Sequence, residues 1–203
     1  MAQREKKMQW LWFGVAFVAL LLACWLTPNH DINGKNTVDI FERMAHNLSH
    51  AINSVWVGLS LLMLLVPAAV RSFKAKFDAT VWWVPSAIVV TVLVVDLIGK
   101  SHIHAPRPDG RPGFPSGHAT FAFVLAWLVA AKYPKLAPLW YAIAVAISWS
   151  RIEIHAHFPY QVLGGALIGT LIGWSINHFL KDRTREDGLP ASEAATGEAA
   201  TGV

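Results

Sequence analysis

Three short segments in the second half of the chain contain residues suited to phosphate chemistry. They read KSHIHAPRP (100–108), PSGH (115–118) and SRIEIHAHFPYQ (150–161). Together they supply three cations: Lys100, Arg107 and Arg151. Uncompensated charge is costly in a half-buried setting, so a cluster of cations there calls for an anion. Arg binds phosphate oxygens bidentately and Lys acts as a point charge, which predicts a phosphate site.

The remaining polar residues of these segments predict a reaction as well as binding. Ser116 and Gly117 directly precede an apolar run, and a helix beginning there directs its free N–H groups and its positive dipole end at an anion. Glycine also permits close approach of the backbone. His118 and His157 supply what phosphoryl transfer needs near neutral pH, a nucleophile or base and a proton donor.

The elements that carry these segments are predicted to be membrane-spanning helices. Hydrophobic residues make up 54% of the chain and charged residues 15%, against roughly 25% charged in soluble domains. Apolar runs with little or no charge match the roughly 30 Å bilayer core. The predicted fold is therefore an all-α integral membrane protein with six transmembrane helices: Met8–Leu26, Ala51–Val70, Thr80–Gly99, Pro115–Ala131, Leu136–Ser150 and Gln161–Leu180.

The distribution of basic residues predicts the orientation of these six spans. Lys and Arg near the span ends number eleven on the side that holds both termini and six on the other side. The more basic side is expected to be cytoplasmic, which places the N and C termini in the cytoplasm. Eight of the nine histidines fall on the opposite side. The chemistry is therefore expected on the extracytoplasmic face.

Residues 1–181 are predicted to form one membrane domain, followed by a disordered polar tail over 182–203. In the first outer loop, Pro28–His50 shows the spacing of a short interfacial helix, either a lid for lipid entry or a simple anchor. The single cysteine, Cys24, excludes an intrachain disulfide and any multi-cysteine metal site. The four residues LLAC, Leu21–Cys24, match a lipoprotein cleavage box. We favour a chance match within an intact first span.

The order of these motifs resembles a known family. Lys-x6-Arg-Pro, then Pro-Ser-Gly-His, then Ser-Arg-x5-His-x3-Asp is typical of the type 2 phosphatidic acid phosphatases (lipid phosphate phosphatases), which share a site with vanadium haloperoxidases. The chain matches these motifs at Lys100 to Pro108, Pro115 to His118, and Ser150 to His157. Any one of these motifs would be weak evidence. Three in this order, at the outer ends of spans three to six, make the resemblance specific.

The resemblance implies a role for each matched residue. His157 would be the nucleophile that forms a phosphohistidine, and His118 would protonate the leaving oxygen and then activate water. The phosphoryl oxygens would be held by Lys100, Arg107, Ser116, Gly117 and Arg151. It implies no metal and no cofactor. A cluster of His102, His104 and His155 with His157 is the alternative that would bind a metal ion, and we regard it as the weaker interpretation.

The chain departs from this family pattern at its last position, where Gln161 replaces the usual Asp. Glucose-6-phosphatases and dolichyl-diphosphatases, of the same superfamily, also have Gln there. On a helix, Gln161 lies one turn from His157, and its amide oxygen can accept the Nδ1–H and free Nε2 for attack. An amide lacks the negative charge with which a carboxylate stabilises an imidazolium. We therefore expect Gln161 to affect the rate of the reaction rather than the fold.

The resemblance implies an enzyme of the bacterial inner membrane, a multi-pass phosphatase whose site faces the periplasm or cell exterior. Its substrate would be a lipid phosphate or diphosphate, with undecaprenyl diphosphate first and phosphatidate and phosphatidylglycerophosphate next. Nucleic acid is not an expected partner, and the oligomeric state stays open. The alternatives are a catalytically impaired membrane protein that binds phosphorylated lipid, and a phosphotransferase acting on lipid A or another lipid.

Overall fold

The described part of the protein is a bundle of six α-helices. The structure, a computed structural model, describes residues 2–26, 44–45, 47–48, 53–73 and 80–186. In chain order the helices are α1 (Ala2–Leu26), α2 (Asn53–Phe73), α3 (Thr80–Val92), α4 (Gly117–Lys132), α5 (Ala137–Glu153) and α6 (Pro159–Glu186). Helix α3 continues directly into a π-helix, Leu93–Lys100, and a 3-10 turn, Pro134–Leu136, precedes α5.

Each predicted span contains one of these helices. Three segments are long and apolar enough to cross a membrane, namely Lys7–Leu26, Asn53–Val70 and Pro159–Phe179. Val81–Leu97 and Gly117–Lys132 are shorter apolar helices. Among the described residues no extended strand occurs beyond one isolated bridge, so the all-α prediction is confirmed for this part of the chain.

Helix α4 forms the centre of the bundle. Eleven of its 16 residues are buried, and it packs most extensively against α6 and α5. A helix that is apolar all round is expected in such a central position. The outer helices instead expose large apolar side chains, including Val55 and Leu62 on α2 and Leu171 on α6. That arrangement suits a lipid environment, where the exterior as well as the interior is apolar.

Helix α6 lies unusually close to α4 because glycine lines the contact. A Cβ atom on Gly165 would lie 2.7 Å from the Ser116 carbonyl oxygen, and one on Gly169 would collide with the Thr120 backbone. Small residues let two backbones approach in this way, and they are typical of helix contacts in membranes. The contact also brings the start of α6 beside the start of α4.

A proline inside α2 provides a second tertiary link. Pro67 has no N–H, so the Met63 carbonyl four residues earlier loses its helical partner. The Tyr133 hydroxyl donates to that carbonyl at 2.9 Å, and Lys132 Nζ donates to the neighbouring Leu64 carbonyl at 3.3 Å. The end of α4 is thereby bound to the middle of α2.

The effect on stability of removing the Tyr133 hydroxyl should depend on Pro67. Tyr133→Phe is expected to destabilise the protein by about 1 kcal/mol, the usual contribution of one hydrogen bond. In a Pro67→Ala background the residue-67 N–H can bond the Met63 carbonyl itself, so the same change should cost almost nothing. Thermal unfolding of the four proteins of this double-mutant cycle measures the difference. Equal losses in both backgrounds would contradict the account.

The π-helix at the end of α3 leads directly into the candidate site. Its wider turn leaves carbonyls for side chains: Ser101 Oγ donates to the Asp96 carbonyl at 3.1 Å, and His102 Nδ1 lies 3.0 Å from the Leu97 carbonyl. Gly99 packs against Pro115 so closely that a Cβ would lie 2.8 Å from the Phe114 carbonyl oxygen. The first motif is thus held against the second.

Two predictions about the termini and loops fall mostly outside the described residues. The interfacial helix proposed for Pro28–His50 lies there, apart from short helical pieces at 44–45 and 47–48. Helix α6 continues to Glu186 and so covers the first five residues of the predicted tail over 182–203. The rest of that tail, 187–203, lies outside the described residues.

Candidate active site

The segment after the π-helix folds into a small hairpin, residues 105–113, that carries Arg107. Its turn is built by Arg107-Pro108-Asp109-Gly110, with Gly110 at φ +81° and its N–H donating to the Arg107 carbonyl at 2.9 Å. Proline at the second position and glycine in the left-handed region are the residues that such a turn favours. The Gly113 N–H closes the hairpin on the Ala105 carbonyl at 3.0 Å.

Arg107 is held with its charge near the other functional groups. The guanidinium Nε donates to the Pro112 carbonyl across the hairpin at 3.1 Å. Its positive charge acts on both Arg151 and His157. By contrast, Arg111 at the hairpin tip is exposed and pairs with Asp109 at 2.6 Å, which lowers the pKa of that carboxyl. The inward-facing arginine of this hairpin is therefore Arg107.

The end of α5 places His157 relative to Arg151. His155 has φ +52°, its N–H donates to the Ile152 carbonyl, and the Ala156 N–H donates to the Arg151 carbonyl. This pattern is a Schellman motif, with His155 at the left-handed position where glycine is usual. The His157 N–H also donates to the Arg151 carbonyl, at 3.0 Å. The helix end thus ties the buried arginine to the histidine.

Gln161 orients the imidazole of His157. Its amide oxygen lies 3.0 Å from His157 Nδ1 and also accepts the Phe158 N–H at 3.2 Å. Its nitrogen donates to the carbonyls of Ala105 and Pro106, both at 3.0 Å. A flipped amide would oppose like groups at the Phe158 N–H and at both carbonyls. The oxygen therefore faces Nδ1, which must carry the proton, and the lone pair is left on Nε2.

The start of α4 completes the arrangement. The Ser116 N–H donates to the Gln161 carbonyl at 3.0 Å, which joins the second motif to the third. The Ser116 side chain is fully buried, and its hydroxyl has no hydrogen-bond partner among the described residues. A buried hydroxyl without a protein partner is available to a ligand. Ser116 precedes a 16-residue helix, whose N-terminus attracts anions.

Gly117 is a glycine that the protein's own packing does not require. A Cβ built on it would meet only Val95 Cγ1, at an ordinary 3.5 Å. Gly165 and Gly169 of α6 differ, because a Cβ there would collide with backbone. Protein contacts therefore do not require glycine at the first residue of α4.

The environment favours the neutral form of His157. The residue is 3% exposed. Burial and then the positive charge of Arg107 lower its pKa to about 4, although the Gln161 amide and the Gly113 backbone act in the opposite direction. Neutral imidazole is the form that can attack phosphorus, because its Nε2 lone pair is then available.

Most of the predicted site residues come together in this structure. Hydrogen bonds or charge effects connect Arg107, Ser116, Arg151, His157 and Gln161. His118 is half-buried on the first turn of α4, two residues after Ser116. The backbone of Lys100 ends the π-helix, while its side chain lies outside the described part of the structure.

The histidine-rich stretches are arranged differently from a metal centre. His102 contacts the Leu97 carbonyl, and His155 is exposed at the helix end. Within the described ranges, no three His, Cys, Asp or Glu side chains lie together in a way that would hold a metal ion. Sequence reasoning missed Gly113 and the carbonyls of Ala105 and Pro106. The Pro-Asp-Gly turn was the available signal for that hairpin.

Comparisons with known proteins identify similar sequences. The family model described as the PAP2 superfamily matches residues 94–185. The chain is 29% identical over 138 residues to glucose-6-phosphatase 3 of Mus musculus, covering 58% of this chain and 38% of that protein. It is 30% identical over 135 residues to lipid A 1-phosphatase of Porphyromonas gingivalis, covering 60% and 29% respectively. The chain thus spans well under half the length of these relatives.

One solved structure was compared with the chain. The transmembrane PAP2 type phosphatidylglycerolphosphate phosphatase from Bacillus subtilis superposes with a TM-score of 0.48 and 21% identity, over 84% of this chain and 96% of that chain. The motif residues at 100–108, 115–118 and 150–161 all fall inside the segment that the family model matches. Residues 94–185, which hold all three motifs, are thus similar to the PAP2 superfamily.

Proposed function

We propose that the protein is an integral-membrane phosphatase that hydrolyses phosphorylated lipids through a phosphohistidine. One observation carries the proposal: a buried, neutral histidine with its Nε2 lone pair free converges with two arginines and an unpartnered serine hydroxyl. Such a site offers a nucleophile and a cradle for a multiply charged anion. The relatives named above are phosphatases by name, which supports the same reaction class.

The proposed reaction has two steps. In the first, His157 Nε2 attacks phosphorus while the bond to the leaving oxygen breaks and protonated His118 donates a proton to that oxygen. In the second, neutral His118 takes a proton from water, the water oxygen attacks phosphorus, and the bond to Nε2 breaks to release phosphate. Lys100, Arg107, Arg151, Ser116 and Gly117 hold the non-reacting oxygens, whose charge grows in the transition state.

The proposed setting is the outer leaflet of a bacterial inner membrane. Six spans with both termini in the cytoplasm would place all three motifs on the periplasmic or outer side. The exposed apolar surfaces of α1, α2 and α6 support insertion into lipid. The proposed substrates are undecaprenyl diphosphate first, then phosphatidate and phosphatidylglycerophosphate. A phosphorylated lipid A is a further substrate or donor class, consistent with the name of the relative from Porphyromonas gingivalis.

Release of inorganic phosphate from a panel of these lipids in detergent or vesicles tests the function. We expect at least one lipid to be hydrolysed, and hydrolysis to persist in a metal chelator. Appearance of the phosphoryl group on a second lipid rather than in water would identify a transferase. Binding of the lipids without any bond cleavage would favour the impaired, lipid-binding alternative that the amide of Gln161 suggests.

Gly117→Ala is expected to separate ligand binding from folding. The added methyl group meets no protein atom closer than 3.5 Å, so the thermal midpoint should not change. Because it would intrude on the phosphate, KM should rise by about tenfold, equivalent to about 1.4 kcal/mol. Gly169→Ala is the contrasting variant, since its methyl group collides with the Thr120 backbone and should lower stability. An unchanged KM in Gly117→Ala would contradict the proposed cradle.

A further inference from the structure

We propose that Gln161 is also the positioning residue for Arg107: its amide nitrogen clamps the 105–113 hairpin and so couples the phosphate-binding arginine to the nucleophile. The inference rests on the proposed function in one respect, the binding of phosphate by Arg107. It goes further by assigning separate tasks to the two ends of one side chain. The oxygen serves His157, and the nitrogen serves the hairpin.

The amide nitrogen of Gln161 contacts the hairpin through hydrogen bonds. Nε2 has two hydrogens, and two hairpin carbonyls, Ala105 and Pro106, lie 3.0 Å from it. The residue that follows them is Arg107. The Gln161 side chain is fully buried, so its own amide hydrogens depend on these carbonyls. If the nitrogen were lost, the Pro106 carbonyl would lose this donor and the Ala105 carbonyl would keep only the Gly113 N–H.

Close packing at Gly113 provides a second contact between Gln161 and Arg107. A Cβ on Gly113 would lie 2.5 Å from Gln161 Nε2 on one side and 2.6 Å from Arg107 Cγ on the other. The bare backbone of Gly113 is therefore sandwiched between the amide and the arginine side chain. Arg107 Nε in turn donates to the Pro112 carbonyl, next to Gly113. A shift of the amide is thus transmitted to Arg107 through hydrogen bonds and through contact.

The clamp explains why an amide suits this chain where a carboxylate is usual in the family. A carboxylate can accept from His157 Nδ1, but when ionised it has no hydrogen to donate. Glutamate at this position would direct a negative oxygen at the carbonyls of Ala105 and Pro106. Restoring the family's charge should therefore loosen the hairpin instead of improving the site.

The decisive comparison is between Gln161→Glu and the intact protein near pH 8. Hydrogen–deuterium exchange of the full chain, read by mass spectrometry on peptides covering 105–113, reports the hairpin amides of Arg107, Gly110 and Gly113. We expect exchange there to accelerate by about tenfold or more, the factor that corresponds to losing one to two hydrogen bonds. Orthovanadate, used as a phosphate mimic in calorimetry, should bind more weakly by a similar factor.

Two further variants sharpen this comparison. Asn177→Asp makes the same amide-to-carboxylate change on α6, four turns from the site, and should leave exchange and orthovanadate affinity unchanged. Gly113→Ala pushes the amide and Arg107 apart without altering Gln161, so it should reproduce the faster exchange and the weaker binding. It also supplies the test if Gln161→Glu does not fold.

Exchange and anion binding require no turnover, so they separate this inference from the proposed function. Wild-type exchange over 105–113 in Gln161→Glu would overturn the clamp, and so would faster exchange with unchanged orthovanadate affinity. Failure of the intact protein to hydrolyse any phosphorylated lipid would count against the proposed function and leave the clamp standing. With an active enzyme, Gln161→Glu should raise KM more than it lowers kcat.

Discussion

His157→Ala is expected to lower hydrolysis of a phosphorylated lipid by about 10⁴-fold or more, because it removes the proposed nucleophile and not merely a binding contact. The same change should eliminate the phosphoenzyme. Brief incubation of the intact protein with ³²P-labelled lipid, followed by alkaline quenching, should retain label on the protein. Phosphohistidine is acid-labile, so the label should be lost after acid treatment.

The controls for this experiment distinguish loss of chemistry from loss of fold. His178→Gln, near the far end of α6, should retain full label and full activity. The thermal midpoint of His157→Ala should remain close to that of the intact protein, because the variant removes a buried side chain only at the edge of the bundle. Label that persists in His157→Ala would assign the nucleophile to another residue and refute the proposed mechanism.

The second large expected effect is on the activity at acidic pH. The structure places the pKa of His157 at about 4 instead of 6.5, mainly through burial and then through the charge of Arg107. Since the neutral imidazole is the proposed nucleophile, activity should be present above this pKa and lost as the pH falls through it. At pH 4.5 only about 1% of an ordinary histidine would be neutral, against roughly three quarters of His157, a difference of about 75-fold.

The acid limb of kcat/KM measures this pKa, because it reports groups of the free enzyme. Ionisation of the substrate phosphate also contributes to that limb, so a variant comparison is needed. Arg107→Gln removes the second cause of the shift and should move the limb to higher pH, while the substrate contribution stays the same. If the limb lay near pH 6.5 in both proteins, the pKa of His157 would not be lowered, which would contradict the structure.

The location of the helices and of the site was predictable from the sequence because these features depend on local patterns. Long apolar runs bounded by charge predict spans wherever they occur, and each predicted span contains a helix. The motif positions were equally readable, since spacing within a motif is a property of adjacent residues. The orienting contact of Gln161 with His157 follows from a separation of four on one helix.

Other features were decided only by tertiary structure. The carbonyls that Gln161 Nε2 binds lie 55 and 56 residues earlier in the chain. Every residue carries the same backbone carbonyl. Nothing in residue type identifies which of them will face the amide. The same holds for Met63, whose carbonyl meets the Tyr133 hydroxyl only because α2 and α4 pack together.

The sequence by itself therefore determined the chemistry on offer: two histidines, the cations, an anion-attracting helix start and a membrane setting. The fold decided which partners those groups acquire, namely a burial that keeps His157 neutral, a serine hydroxyl left for a ligand, and an amide shared between nucleophile and hairpin. The physical reason is that side-chain chemistry and periodicity are local, whereas burial and backbone hydrogen bonding depend on how distant segments pack.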